Sequence, residues 1–258
     1  MSNYWQDRTA DLLYEIEDKT IKSINNQLQR YYGSVANRVI RDFERVYYKI
    51  MSDKEDGKEP TPADLYKLDK YWQAQAQMRR ELEKLGNKQI VLLTKAFEVN
   101  FFEVYYGLAL PGEPLFNKVD KEVVLQLING IWVADGKQWS QRVWNNTERL
   151  AQTLNEELIH IVATGKKDTD LKNVLQERFD VSYRRAETLV RTEIAHIQTE
   201  AAKKRYQDYG IEYVEVLVDP DERTCDLCKA LIGKKWKTTE TPPLPVHPNE
   251  RCCLVPVI

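Results

Sequence analysis

The chain has 258 residues, 42% of them hydrophobic and 30% charged, with only ten glycines and ten prolines. That balance suits a soluble, helix-rich protein with a packed core, in one large domain or two small ones, and it excludes a disordered chain. The formal charge of −2 and pI near 6.1 exclude a global basic field for nucleic acid, so Lys203, Lys204, Arg205 and Lys234, Lys235, Lys237 read as solvated faces.

The N-terminus, MSNYWQDRTADLL, lacks an apolar signal core, and no run approaches about 18 apolar residues. The expectation is a protein made inside a cell, with no membrane segment. From Tyr4 to Ile50, apolar residues recur at Leu12, Ile16, Ile24, Leu28, Tyr32, Val35, Val39, Phe43, Val46 and Ile50, with Thr20 in the one wide gap. Steps of three and four predict one long helix with a narrow stripe, roughly 65–70 Å at 1.5 Å per residue. Gly33 is a place for a kink.

Lys54–Pro60 is a polar break. Thr61 then opens a helix, with Pro62 at its first position and Asp64 where a capping-box acid belongs. It is expected to run to about Leu85 and to be interrupted at Gly86-Asn87. An apolar run from Ile90 to Leu110 follows, then a loop at Pro111–Pro114. Asp120 caps a short helix carrying Val123, Val124, Leu127 and Ile128. The next helix places Trp139, Val143, Thr147, Leu150, Leu154, Leu158 and Ile161 on one face and ends at Thr164-Gly165. A shorter helix spans Asp168 to Phe179. Ser182 is the expected cap of another, which stops at Gly210.

After Gly210 the pattern changes. Glu212–Val218 alternates and is β-branched, so it predicts a strand. Cys253–Ile258 predicts a second, placed at an edge by Pro256. All four cysteines lie in this last stretch: Cys225, Cys228, Cys252 and Cys253. The spacing is a CxxC arm facing His247 and, four residues on, Cys252. A CxxC puts two thiolates on one turn, and a second arm completes a tetrahedral zinc site. A module of this size buries too little apolar area to hold itself, and a metal supplies the difference. Four protein ligands leave no place for water, so the site is structural and not hydrolytic. A disulfide or a redox CxxC is the rival. The lack of a signal segment and of a βαβ unit weighs against both. Spacing does not decide between Cys252 and Cys253.

The fold class that follows is mainly α: a long helical N-terminal body with a small α+β zinc-stabilised C-terminal module. The divisions fall at 1–118, an extended helical region; 119–210, a second helical part; and 211–258, a small zinc-binding β module.

The stretch from Leu189 onward carries Arg191-Thr192-Glu193, Tyr206 to Gly210, Asp221 to Cys228, Leu231 to Gly233 and His247-Pro248-Asn249. In these motifs it resembles the head-morphogenesis domain of phage minor head proteins, the family named for protein F of phage Mu. The likeness is strongest over about residues 135–258. The family commonly ends His-Pro-Asn-Cys-Arg-Cys, and here Glu250 stands at the first of those cysteines. The register of the resemblance favours Cys252 as the fourth ligand, with Cys253 as a small buried residue facing the strand. It implies a minor capsid protein of a tailed bacteriophage, made in the host cytoplasm and placed inside the capsid near the portal vertex. Its partners would be the portal protein and the major capsid protein. Packaged DNA would be a further contact, in genome packaging or ejection. Enzyme domains fused in larger relatives have no room here, so no enzymatic activity is expected.

Other histidines read more plainly. Glu193, His196 and Glu200 share a helical face, but a di-iron bundle needs a second such motif, which is missing, so they read as a helix-surface hydrogen-bond cluster. Arg191 and Glu193 read as ion pairs orienting the long helix. His160 sits near a helix C-terminus, where a cation is favourable. No GxSxG, Walker-type loop, dinucleotide fingerprint or HExxH is present. A nucleic-acid-binding zinc module, using the lysines beside Trp236, is the alternative function.

Overall fold

A computed structural model describes residues 4–54, 58–108, 118–218 and 224–257. The expected loop at Pro111–Pro114 and the motif residue Asp221 lie outside the described residues. Among the described residues seven helices come in chain order: α1 (Tyr4–Ser52), α2 (Pro62–Tyr66), α3 (Asp69–Gly107), α4 (Lys121–Ile128), α5 (Trp139–Ala163), α6 (Asp168–Asp208) and α7 (Asp226–Lys229). Three strands accompany them: β1 (Tyr213–Leu217), β2 (Lys235–Lys237) and β3 (Cys253–Pro256). The mainly helical reading holds. No helix among the described residues is long and apolar enough to cross a membrane.

The described residues form two compact units. One comprises 1–25, 92–139 and 188–258; the other comprises 26–91 and 140–187. The second unit is all helical. Its core includes Leu28, Phe43, Leu65, Met78, Leu85, Leu154, Leu158, Leu171, Leu175 and Phe179, each at 1% exposure or less. Polar side chains tie its helices together: Tyr71 Oη and Gln75 Nε2 both donate to Asn155 Oδ1, at 2.8 and 2.6 Å. Arg38 Nε donates to Glu81 Oε2 at 2.7 Å.

The predicted helix signals are obeyed where they are local. Thr61 caps α2 in a full capping box with Asp64, and Pro62 takes the first turn. Asp120 Oδ1 accepts from Glu122 N at 2.9 Å and caps α4. Gly210 has φ of 77°, and Ile211 N donates back to Tyr206 O at 2.9 Å. A side chain at that φ would be strained, which is why glycine ends α6.

Three expectations are corrected, each because packing outweighs a local signal. The helix opened by Thr61 stops at Tyr66, and α3 begins at Asp69 and runs unbroken through Gly86-Asn87 to Gly107. Gly86 is a close approach and not a break: a Cβ there would meet Trp144 Cζ3 at 2.5 Å. Ser182 starts no helix, because α6 is continuous from Asp168 to Asp208. Ser182 is 2% exposed, and its Oγ lies 3.4 Å from Tyr32 Oη. A hydroxyl that looks like a cap is spent on tertiary contact. Finally, the α1 stripe is wide. Leu13, Ile21, Ile40 and Tyr47 are buried beside the expected positions, and the helix continues through Gly33. The α5 face is buried throughout, as its periodicity predicts.

In the first unit, the sheet has the order β2-β1-β3, with both pairings antiparallel. Val214 faces Trp236 on one side and Pro256 on the other; Leu217 faces Cys253. Pro256 sits on an edge strand, as expected. β2 was not foreseen: three residues, KWK, give too short a pattern to read. Tyr206 fastens α6 to this sheet: it is fully buried, and its hydroxyl donates to Leu254 O at 2.9 Å.

Candidate metal centre

The centre is built by α7 and by the chain entering β3. Cys225 is the N-cap of α7, and its Sγ accepts from Cys228 N at 3.4 Å. The CxxC spacing closes one helical turn, so both sulfurs face the same point. That backbone N–H is the main reason the Cys225 thiol titrates below its ordinary value. Cys228 is buried, and burial pushes its thiol up to about 11, with the neighbouring Cys225 and Glu250 adding to the rise.

The opposite arm is a turn. Asn249 has φ of 61°, a left-handed conformation that asparagine tolerates better than most residues. Asn249 N donates to Thr192 Oγ1 at 3.4 Å, so the Arg191-Thr192-Glu193 motif fixes the turn. His247 Nδ1 lies 2.9 Å from Pro248 O, and its Nε2 lies 3.2 Å from Cys228 Sγ. A proton on Nδ1, held by the carbonyl, leaves the Nε2 lone pair facing the sulfurs. Metal-binding imidazoles commonly use this arrangement. The Pro248 carbonyl is also the main cause of a raised His247 pKa.

Two groups of donor atoms result, each with members within 4.8 Å of one another: Cys225, Cys228 and His247; and Cys228, Glu250 and Cys252. Cys228 belongs to both. Tetrahedral zinc with thiolate and imidazole ligands needs donors roughly 3.5–4 Å apart. Of the four residues singled out from sequence, Cys225, Cys228 and His247 come together in the first group, and Cys252 lies with Cys228 and Glu250 in the second. Cys253 does not join them. It is 6% exposed in β3, and burial pushes its thiol up to about 12.

Sequence reasoning marked Glu250 as a departure from a family cysteine but did not count it among the donors. It is 4% exposed, and its Oε2 accepts from Val246 N and, at 3.2 Å, from His247 N. Its Oε1 is buried with no hydrogen-bond partner among the described residues. Burial first, and Glu250 second, drive the Cys252 thiol far above its ordinary range. Buried thiols crowded with a carboxylate are an unfavourable set without a cation, and a cation reverses that balance. The residues present fit a divalent metal ion of the kind that thiolate and imidazole prefer. A cleft of about 430 Å³ adjoins the cluster, with Arg191, Arg251 and Tyr14 in its walls.

The other sequence candidates resolve into structure. Glu193 is 1% exposed and accepts a hydrogen bond from Trp132 Nε1 at 3.0 Å. His196 stacks on Trp132 with ring centroids 4.2 Å apart, and its Nδ1 lies 3.0 Å from Leu244 O. They are buried, not a helix-surface cluster: Glu193 holds Trp132, and His196 holds the loop that leads to His247. Burial is the main cause of a lowered His196 pKa. Neither residue belongs to a group close enough to hold an ion among the described residues. His160 is exposed in the last turn of α5, as expected.

The site thus defines a class: a helical protein whose C-terminal module closes around a sulfur- and nitrogen-rich cluster able to hold a metal ion. Residues 152–254 match the family described as Phage Mu protein F like protein. Over this segment, less than half of the chain, the resemblance drawn from the motifs is borne out as a similarity to that family. Comparison with curated proteins and with solved structures finds no match.

Proposed function

We propose that this chain is a minor capsid protein of a tailed bacteriophage, structural and not enzymatic, whose C-terminal module is fastened by one zinc ion. The Cys225–Cys228–His247 donor group, with Cys252 beside Cys228, inside the family-matched segment supports this reading. The ion would be held by those side chains and would supply cross-linking free energy to a small sheet with little core of its own. The chain's own groups do the rest. Thr192 and Asn249 set the turn, Pro248 O orients His247, and Tyr206 and His196 fasten the module to α6.

The protein would act inside the head near the portal vertex, against the portal and major capsid proteins, with packaged DNA a further contact during packaging or ejection. Metal analysis of purified protein tests the centre: one zinc per chain is expected, and none in Cys225→Ser. Co-purification with portal protein tests the placement. A protein that is found free of heads and binds DNA with steep salt dependence would instead favour the nucleic-acid-binding alternative.

A further inference from the structure

The centre has one donor more than a tetrahedral ion takes. Cys225, Cys228 and His247 form one triangle of donors, and Glu250 and Cys252 share only Cys228 with it. Glu250 and Cys252 lie within 4.8 Å of each other and of Cys228, so they offer alternative donors beside that shared ligand. Glu250 is not spare surface charge: it is 4% exposed, and one carboxylate oxygen is already engaged by two backbone N–H groups. The other oxygen, Oε1, is buried with no donor among the described residues. A buried carboxylate oxygen without a partner is unfavourable unless a cation or proton meets it.

We propose that Cys252 and Glu250 share the fourth coordination position, so that the module takes a divalent metal ion through either one. This rests on the metal-centre reading above and extends it. Cys252 would bind through sulfur, whereas Glu250 would bind through a carboxylate oxygen. The Glu250 mode lowers the sulfur count from three to two and so widens the choice of ion toward harder divalent metals such as cobalt or iron. Arg191 and Arg251 in the adjoining cleft offset the negative charge that the fifth donor adds.

The test uses the full chain loaded with Co2+, with metal stoichiometry and the thiolate-to-cobalt charge-transfer band as readouts. Cys252→Ser is expected to keep one ion per chain, with the band reduced by about a third as three thiolates become two. Glu250→Gln keeps an oxygen for the Val246 and His247 N–H groups and is expected to keep its ion through Cys252, with the band undiminished. The double variant is expected to lose the ion. Complete loss in Cys252→Ser alone, or in Glu250→Gln alone, would overturn the sharing while leaving the metal centre standing. So would a double variant that binds as well as Cys252→Ser. A wild-type chain that takes up no metal would sink the centre itself, and the inference with it.

Discussion

At the scale of single residues, the first unit carries one acid under visible strain. Glu17 in α1 is 5% exposed, and burial raises its pKa to about 7 against an ordinary 4.5, with Arg251 and Arg191 only partly opposing. A carboxyl whose folded pKa is raised favours the folded state fully below the unfolded pKa. Between about 4.5 and 7 the unfolded chain ionises first, so stability falls as pH rises through that window. Glu17→Gln should abolish this slope. By urea denaturation, the variant should match wild type near pH 4.5 and exceed it by about 1–3 kcal/mol at pH 8. Equal stability at both pH values would show that Glu17 is not held neutral. Asn249 makes a second case. Its left-handed backbone, φ 61°, is set by the turn that aims His247. Asn249→Gly should be near neutral. Asn249→Val should cost about 1–2 kcal/mol in thermal unfolding and weaken metal uptake, since a β-branched residue resists that conformation.

At the scale of elements, the contacts that matter most join helix to sheet. Tyr206 Oη and Leu254 O are both buried, so Tyr206→Phe leaves the carbonyl unpaired without opening a cavity. A loss of about 1–2 kcal/mol in chemical denaturation is expected. A change within about 0.3 kcal/mol would mean that water or Thr9, a neighbour of the same hydroxyl, replaces the bond. The elements also show what a sequence discloses. The Thr61, Asp120 and Gly210 boundaries were legible because caps are written within four residues of the chain. The α5 face was legible because one period persists over seven positions. Gly86 and Ser182 misled for the opposite reason. Their partners, Trp144 and Tyr32, stand far away in sequence, and a residue that breaks or caps helices in isolation serves equally for close packing. Glu250 was noticed only as a departure from the family's terminal cysteines, not as a donor. One carboxylate among the chain's 40 acidic residues signals nothing until burial removes it from water.

At the scale of the whole molecule, both units bury an apolar core, and one of them also carries the donor cluster. Residues 26–91 and 140–187 bury long aliphatic and aromatic side chains from several helices, a core that needs no ion. In the other unit, the sheet is three short strands, with β2 only three residues and β3 four. Beside them, α7 is a single turn organised around Cys225 and Cys228. A bound ion would add stability in proportion to the logarithm of its concentration over its dissociation constant. Stripping metal with a chelator should therefore act locally. Amide exchange should speed up through residues 224–257, while amides around Met78, Leu85 and Leu154 keep their protection. His247→Ala should reproduce the pattern in untreated protein. Uniform loss of protection across both units would mean that the ion supports the entire chain. No change in either unit would mean that the Cys225–Cys228–His247 cluster contributes nothing to folding, and its place would have to be sought in the adjoining cleft.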